Sequence, residues 1–160
     1  MATPIRIWTH ATCHPAFRSG GWAFVRAIGD QVYGQAGGER AATTARMELA
    51  GVLAALRDLP SASGAVTVHS ASAARFARML QPGLAPDEGP TEDLVLWAEL
   101  IAITRARPIV FAPAEVRPGT TLAFVAAWAD LAGEKAKATG GFSAAIPKPN
   151  LAKAPGLGLA

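Results

Sequence analysis

The side chains of this 160-residue chain that could do chemistry lie mainly in two short groups. His10, Cys13 and His14 fall within five residues, and His69 immediately precedes Ser70. Imidazole, thiol and hydroxyl groups can serve as acids, bases, nucleophiles or metal ligands. Adjacent side chains on a strand point to opposite faces, so His69 and Ser70 would not face each other. The spacing therefore favours no nucleophilic serine, and a structural or surface role is the simpler interpretation of Cys13 and His69.

Composition and charge indicate the class of protein. With 51% hydrophobic and 17% charged residues, the chain is typical of one folded domain and is not an intrinsically disordered protein. The formal net charge is +3, but all four lysines lie after residue 134, where no acid occurs. Residues 1–134 carry 11 arginines against 12 acids. The body is thus nearly neutral, and a clustered basic face for phosphate binding is not predicted there.

The cysteine count and the hydropathy indicate a compartment. One cysteine excludes an intrachain disulfide and suits a reducing environment. The first residues lack the basic and then apolar order of a secretory signal, and no stretch is apolar enough to span a membrane. We therefore expect a cytoplasmic protein with no membrane partner. Its richness in alanine and its preference for arginine are typical of a high-GC bacterial genome.

Hydrophobic periodicity supplies the elements that would position these groups. The predicted strands are 5–10, 22–28, 31–37, 65–70 and 108–112, and the predicted helices are 43–59, 72–80, 91–105 and 120–140. This order predicts an α/β fold with a mixed five-stranded sheet, in which three antiparallel strands precede parallel ones and helices flank the sheet. Residues 1–140 would form this domain. Residues 141–160, rich in Pro, Gly, Ala and Lys, are predicted to be a flexible basic tail.

Five strings occur in the order of motifs known from one family. They are Thr9–Trp22, Thr43–Leu49, Val66–Ser72, Glu92–Leu100 and Ala129–Ala132. Over roughly residues 5–138 they resemble ribonuclease H of the bacterial type I family. That family's counterparts read Thr-Asp-Gly-Ala-Cys with Gly-Gly-Trp, Arg-Met-Glu-Leu, Thr-Asp-Ser, Glu-Asp-Leu-Trp and Ala-Asp-x-Leu-Ala. The resemblance implies a ribonuclease H-like sheet.

The resemblance also implies a chemistry, which this chain departs from. In the family, four carboxylates hold two Mg²⁺ ions that promote hydrolysis of the RNA strand of an RNA–DNA hybrid. Glu48 and Asp130 stand at two of those catalytic positions. His10 replaces the aspartate that bridges both metals, and Ala71 replaces the aspartate of Thr-Asp-Ser. With a neutral His10 the site offers two negative charges instead of four, so we expect no resident metal.

Positions that serve the family's substrate have changed as well. The segment 111–121 contains no histidine, although the family's loop before its last helix carries one that assists proton transfer. Asparagines that read the hybrid correspond to Ala16, Thr44 and Ala45, and an alanine cannot reach a 2′-hydroxyl. The basic, Trp-rich handle of some members is also missing. These losses predict a catalytically degenerate member.

Two classes of function follow. The leading hypothesis is a binding module without hydrolytic activity, whose partner is a nucleic acid such as an RNA–DNA hybrid or an unknown protein. The alternative is a divergent endoribonuclease that cleaves the RNA strand of hybrids. It would use His10, Glu48 and Asp130 as metal ligands, a set that suits Mn²⁺ or another transition ion, or would retain Mg²⁺. The oligomeric state stays open.

Overall fold

The computed structural model describes residues 3–60 and 64–157, which contain six strands and five α-helices. The strands are β1 (Ile5–Cys13), β2 (Gly20–Ile28), β3 (Gln31–Glu39), β4 (Val66–Ser70), β5 (Ile109–Pro113) and β6 (Phe142–Ala145). The helices are α1 (Thr44–Leu56), α2 (Ala73–Met79), α3 (Leu94–Ala106), α4 (Thr121–Thr139) and α5 (Lys148–Leu151), with a 3₁₀ turn at Pro86–Glu88.

All six strands belong to one sheet with the order β5-β4-β1-β2-β3-β6. Strands β1, β2, β3 and β6 pair antiparallel, whereas β4 pairs parallel to β1 and β5 pairs parallel to β4. The predicted α/β class and the change from antiparallel to parallel strands are therefore confirmed. No helix within the described residues is both long and apolar enough to cross a membrane.

Two apolar clusters cover the two faces of the sheet. Buried and half-buried residues alternate along β1, so Ile5 and Ile7 face α1 while Trp8 lies against the other cluster. Helix α1 buries its predicted stripe on the first face, including Leu49, Val52, Leu53 and Leu56. Helix α4 packs on the opposite face through Val125 and Ala129. The candidate site residues named in the sequence analysis are therefore expected where these layers end.

Helix α3 begins later than expected. The sequence favours Thr91 as its N-cap, but the helix starts at Leu94 and its N-cap is Asp93 in the left-handed region. The Asp93 side chain does not cap the helix because its carboxylate accepts a hydrogen bond from Arg46 at 2.7 Å. Arg46 also donates to Glu39 at 2.9 Å. These carboxylates raise the pKa of the Arg46 guanidinium, which links α1, β3 and α3.

The prediction of five strands and of a tail outside the sheet was wrong for residues 142–157. Phe142–Ala145 form β6 against β3, and the chain then packs back over the sheet. The apolar residues that hold it there are buried: Ile146, Leu151, Ala154 and Leu157. These isolated apolar residues among Pro, Gly and Lys do not form a periodic pattern, so the sequence favoured a tail. Residues 158–160 of that predicted tail lie outside the described residues.

We predict that Ile146→Ala lowers the free energy of unfolding by about 2–4 kcal/mol, because it removes a fully enclosed apolar side chain. Urea titration followed by circular dichroism measures the change. The exposed Ser143→Ala variant, on the neighbouring strand β6, is the control and should change stability little. An Ile146→Ala midpoint equal to that of the parent chain would contradict the packing of this segment.

Candidate functional site

A cavity of about 70 Å³ lies beside helix α1, where β4 ends and β1 continues beyond its pairing with β4. Its lining includes Thr9, His10, Ala11, Glu48, Val52, Ser70, Ala71, Ser72 and Phe76. Strands β1 and β4 run parallel with Trp8 beside His69, so the residues that follow meet at one edge of the sheet. The sheet thereby brings His10, Glu48 and Ala71, predicted at separate places in the sequence, to one cleft.

Both carboxylate oxygens of Glu48 are engaged by neighbouring side chains. The Ser72 hydroxyl donates to Oε1 at 2.9 Å, and the Arg75 guanidinium forms an ion pair with Oε2 at 2.8 Å. The Glu48 side chain is 17% exposed and that of Arg75 is 32% exposed. Partial withdrawal from water strengthens the attraction relative to a surface pair. Arg75 therefore supplies a positive charge next to the Glu48 carboxylate that lines the cleft.

His10 lies on β1 on the side of the sheet that faces α4. Burial lowers the pKa of its imidazole below the ordinary value of 6.5, while the negative charges of Asp130 and Glu48 oppose that shift. Burial is the largest of these effects, so the neutral ring predominates at neutral pH. The charges of both carboxylates therefore act on the pKa of His10, although His10, Glu48 and Asp130 do not come together as a metal-binding group within the described residues.

Asp130 and Ala71 differ from Glu48 in their surroundings. Asp130 is exposed on α4, and its side chain forms no hydrogen bond or ion pair with residues 3–60 or 64–157. Ala71 is exposed just after β4 and contributes only a methyl group. Next to it, the Ser70 hydroxyl accepts a hydrogen bond from the Ser72 amide at 3.0 Å. The end of β4 is closed by this local turn and offers no carboxylate.

The arrangement does not fit a pair of Mg²⁺ ions. Within the part of the chain that the structure describes, no three His, Cys, Asp or Glu side chains come together as a metal-binding group. Mg²⁺ prefers anionic oxygens in near-octahedral geometry, and a neutral imidazole cannot bridge two such ions as a carboxylate does. Moreover, Glu48 would have to exchange Arg75 and Ser72 for a metal. The donor chemistry favours an internal cation over a bound one.

Arg75 is the partner of Glu48 that sequence reasoning missed. It follows Ser72 by three residues at the start of α2, and side chains at this spacing lie on one helical face. The spacing was visible in the sequence, whereas the shared partner Glu48 lies 27 residues from Arg75. Only the packing of α1 beside α2 brings the two charges together.

Other sequence candidates have structural partners. The Cys13 thiol donates to the Ala42 carbonyl at 3.3 Å. The His14 ring accepts from the Ala16 and Phe17 amides, which closes the loop after β1. The His69 ring stacks on Trp8 with centroids 5.1 Å apart. Trp22 and Trp97 are buried, while Trp8 and Trp128 are half-buried. In segment 111–121, Thr120 caps α4 by accepting from the Ala123 amide.

The arrangement of strands and helices can be compared with solved structures. LC9-RNase H1, a type 1 RNase H with the type 2 active-site motif, is similar with a TM-score of 0.66 and 15% identity over 96% of this chain and 82% of that chain. The N-terminal RNase H domain of Rv2228c from Mycobacterium tuberculosis, solved as a fusion with maltose-binding protein, gives a TM-score of 0.61 and 18% identity over 86% and 99%. The chain has the ribonuclease H fold.

The sequence resemblance to ribonuclease H is thereby confirmed at the level of the fold. LC11-RNase H1, solved in complex with an RNA/DNA hybrid, shares this fold with a TM-score of 0.59 and 19% identity, covering 82% of this chain and 98% of that chain. No protein-family model matches the chain, and no curated protein matches it in sequence. Within the ribonuclease H fold, His10, Glu48 and Ala71 line the cleft described above, and the charge of Asp130 acts on the pKa of His10 from α4.

We predict that the free energy of unfolding rises with pH through the ordinary histidine range. Burial lowers the pKa of His10 and of His69 below 6.5, so the unfolded chain binds more protons there. Their contribution is present above pH 6.5 and is lost as the pH falls toward the lowered values. Urea titrations between about pH 5 and 8 should show a smaller slope for His10→Gln. The exposed Ser143→Ala variant, which changes no titratable group, is the control, and an unchanged slope for His10→Gln would contradict the assignment.

A second prediction concerns the ion pair in the cleft. Arg75→Met should destabilise the chain by about 1–2 kcal/mol, since it leaves the carboxylate of Glu48 with the Ser72 hydroxyl as its one partner. Adding Glu48→Gln to that variant should restore part of the loss, because no charge is then left unpaired. A double-mutant cycle by urea unfolding measures the coupling. Strictly additive effects would show that the pair contributes nothing.

Proposed function

We propose that this chain binds nucleic acid of the RNA–DNA hybrid type through its ribonuclease H fold without hydrolysing it. The observation that carries the proposal is the engagement of Glu48 by Arg75 and Ser72. A guanidinium neutralises the carboxylate that a metal ion would otherwise bind. His10 and Ala71 supply no negative charge beside it. A cleft neutralised in this way retains its shape but lacks the charge that two-metal hydrolysis requires.

Structural neighbours support the nucleic-acid partner. LC11-RNase H1 and a foamy viral protease-reverse transcriptase were each solved with an RNA/DNA hybrid. The fold alone does not determine function, so the proposal also depends on side chains of this chain. Location in the cytoplasm and a bacterial source remain predictions from composition.

An aromatic and basic patch at the loop after β1 offers a binding surface. Phe17 is 58% exposed, and the Lys137 ammonium lies 3.8 Å from its ring centroid. The His14 ring packs against Phe17 on the same loop, with centroids 4.8 Å apart. The Arg40 guanidinium donates to the Lys137 and Ala138 carbonyls at the end of α4. An exposed ring with nearby cations suits stacking on a base beside a phosphate.

The alternative is a metal-dependent nuclease that uses His10, Glu48 and Asp130. One observation favours it: His10 is close enough to both carboxylates for their charges to act on its pKa. One imidazole and two carboxylates would suit Mn²⁺ better than Mg²⁺. The ion would have to displace Arg75 from Glu48, so this function predicts stoichiometric metal binding that is lost in His10→Ala.

Cleavage of a labelled RNA–DNA hybrid by the purified chain, in Mg²⁺ and separately in Mn²⁺, tests the two functions. We expect no product in either metal, because the cleft lacks two of the four carboxylates. The Asp130→Asn variant, purified identically, controls for nuclease from the expression host. Cleavage by the parent chain that disappears in Asp130→Asn would overturn the proposal and establish the nuclease.

We predict that Phe17→Ala weakens binding of a labelled hybrid by about 1–3 kcal/mol, through loss of one stacked base. Lys137→Ala should reduce the slope of log affinity against log salt by about one. Fluorescence anisotropy at several salt concentrations measures both effects. The exposed Val95→Ala variant, at the start of α3, is the control. If the parent chain and Phe17→Ala bind the hybrid with equal affinity, the patch is not part of the binding surface.

A further inference from the structure

Strand β5 is the last strand on its side of the sheet, and no described residue pairs with its outer edge. The Ala114 amide donates to the Ser70 carbonyl at 3.1 Å, which shows that this amide faces β4. Successive residues of a strand direct their backbone groups to opposite sides. Val110 and Ala112 therefore also face β4. The N–H and C=O groups of Ile109 and Phe111 point away from the sheet.

A groove of about 960 Å³ runs beside this open edge. Its lining includes Pro108 and residues of β5, residues of helix α3, and residues 81–86, 89 and 90 of the loop after α2. The apolar residues that line it include Met79, Leu80, Leu84, Ile101, Val110 and Phe111. Val110 is 58% exposed, although valine favours burial. The groove thus combines apolar walls with main-chain groups that need hydrogen-bond partners.

The charge of the groove indicates the kind of ligand that it could bind. Arg105 on α3 is the only ionisable residue among those that line it. Arg105 is exposed, and within residues 3–60 and 64–157 it forms no ion pair. A carboxylate on a ligand would be the complementary group, since two charges of opposite sign attract at such a partly apolar surface.

We propose that this groove binds an extended acidic peptide segment of a partner protein, which adds to β5 as a further strand. Main-chain groups of the peptide would pair with the outward groups of Ile109 and Phe111, as in β-strand addition. Pro113 has no N–H and ends the pairing, so the peptide pairs over a short stretch. Alternate side chains of the peptide enter the groove, and a carboxylate meets Arg105. The groove shares no lining residue with the cleft of His10 and Glu48.

Selection of displayed eight-residue peptides on the immobilised full-length chain supplies the probe. We expect the selected peptides to alternate β-branched and polar residues and to carry Asp or Glu. Amide hydrogen exchange then tests the mode of binding. Saturation with a synthetic selected peptide should slow exchange of the Ile109 and Phe111 amides by at least about tenfold. The Val110 and Ala112 amides, which already face β4, should change little.

Matched variants test the charge. Arg105→Glu should lower the affinity for the selected peptide by about tenfold or more, and tenfold corresponds to about 1.4 kcal/mol of binding free energy. Val95→Glu adds a carboxylate to the exposed first turn of α3, far from Arg105 and outside the groove, and should leave affinity unchanged within about twofold. A peptide with N-methyl groups at alternate residues should also lose binding, because it cannot donate to the edge of β5.

Several outcomes would overturn the proposal. One is a selection that enriches no peptide, and another is a set of peptides that bind Arg105→Glu as tightly as the parent chain. Unchanged exchange of the Ile109 and Phe111 amides at saturation would also exclude strand addition. Dimers that form with rising concentration and slow those two amides without peptide would identify a second copy of the chain as the occupant. Hybrid binding and hybrid cleavage are separate readouts, so failure here leaves the proposed function unaffected.

Discussion

The close contact between helix α4 and strand β2 fixes the geometry of the cleft. A Cβ atom at Gly21 would overlap the Ala129 carbonyl and the Gly133 amide, so only glycine allows this approach. The contact holds Ala129 fully buried against the sheet, and Asp130, the next residue, is exposed. Since β1 pairs with β2 along its full length, His10 is fixed relative to the same helix. The relative position of the Asp130 carboxylate on α4 and the His10 imidazole on β1 is therefore set by rigid elements.

The charge of the Glu48 carboxylate, which lines the cleft, is balanced by the chain itself. A neutral imidazole lies beside it, and Arg75 supplies the opposing charge. A guanidinium satisfies a carboxylate with directed hydrogen bonds and remains charged at any physiological pH. It therefore neutralises the Glu48 carboxylate without depending on ligand concentration. The same pair anchors the first turn of α2 to α1, so neutralisation of Glu48 and local stability depend on one contact.

Sequence patterns predict the elements whose residues follow one another in the chain. The prediction fails where the conformation of a segment depends on a residue far away in the sequence. Alternation in β1 and the apolar stripe of α1 identified both elements, and the order of strings placed Glu48 and Asp130 in one fold. Residues 142–157 were missed because their burial depends on β3: a Cβ atom at Gly34 would come within 2.9 Å of Leu151 and 3.0 Å of Ile146. Nothing in the C-terminal segment itself reveals that space. The start of α3 was misplaced because Asp93 binds Arg46, 47 residues away, and leaves the helix uncapped.

The two edges of the sheet differ in how readily a further strand could pair with them, and the C-terminal segment causes this difference. On one side β6 covers β3, is four residues long and exposes only the small side chains of Ser143, Ala144 and Ala145. A short edge strand with small side chains gives another chain little to pair with. On the other side β5 carries larger side chains and lies beside an apolar groove. Pro113 limits that edge but leaves the outward groups of Ile109 and Phe111 available. Strand addition is therefore restricted to one side of the sheet, away from the cleft.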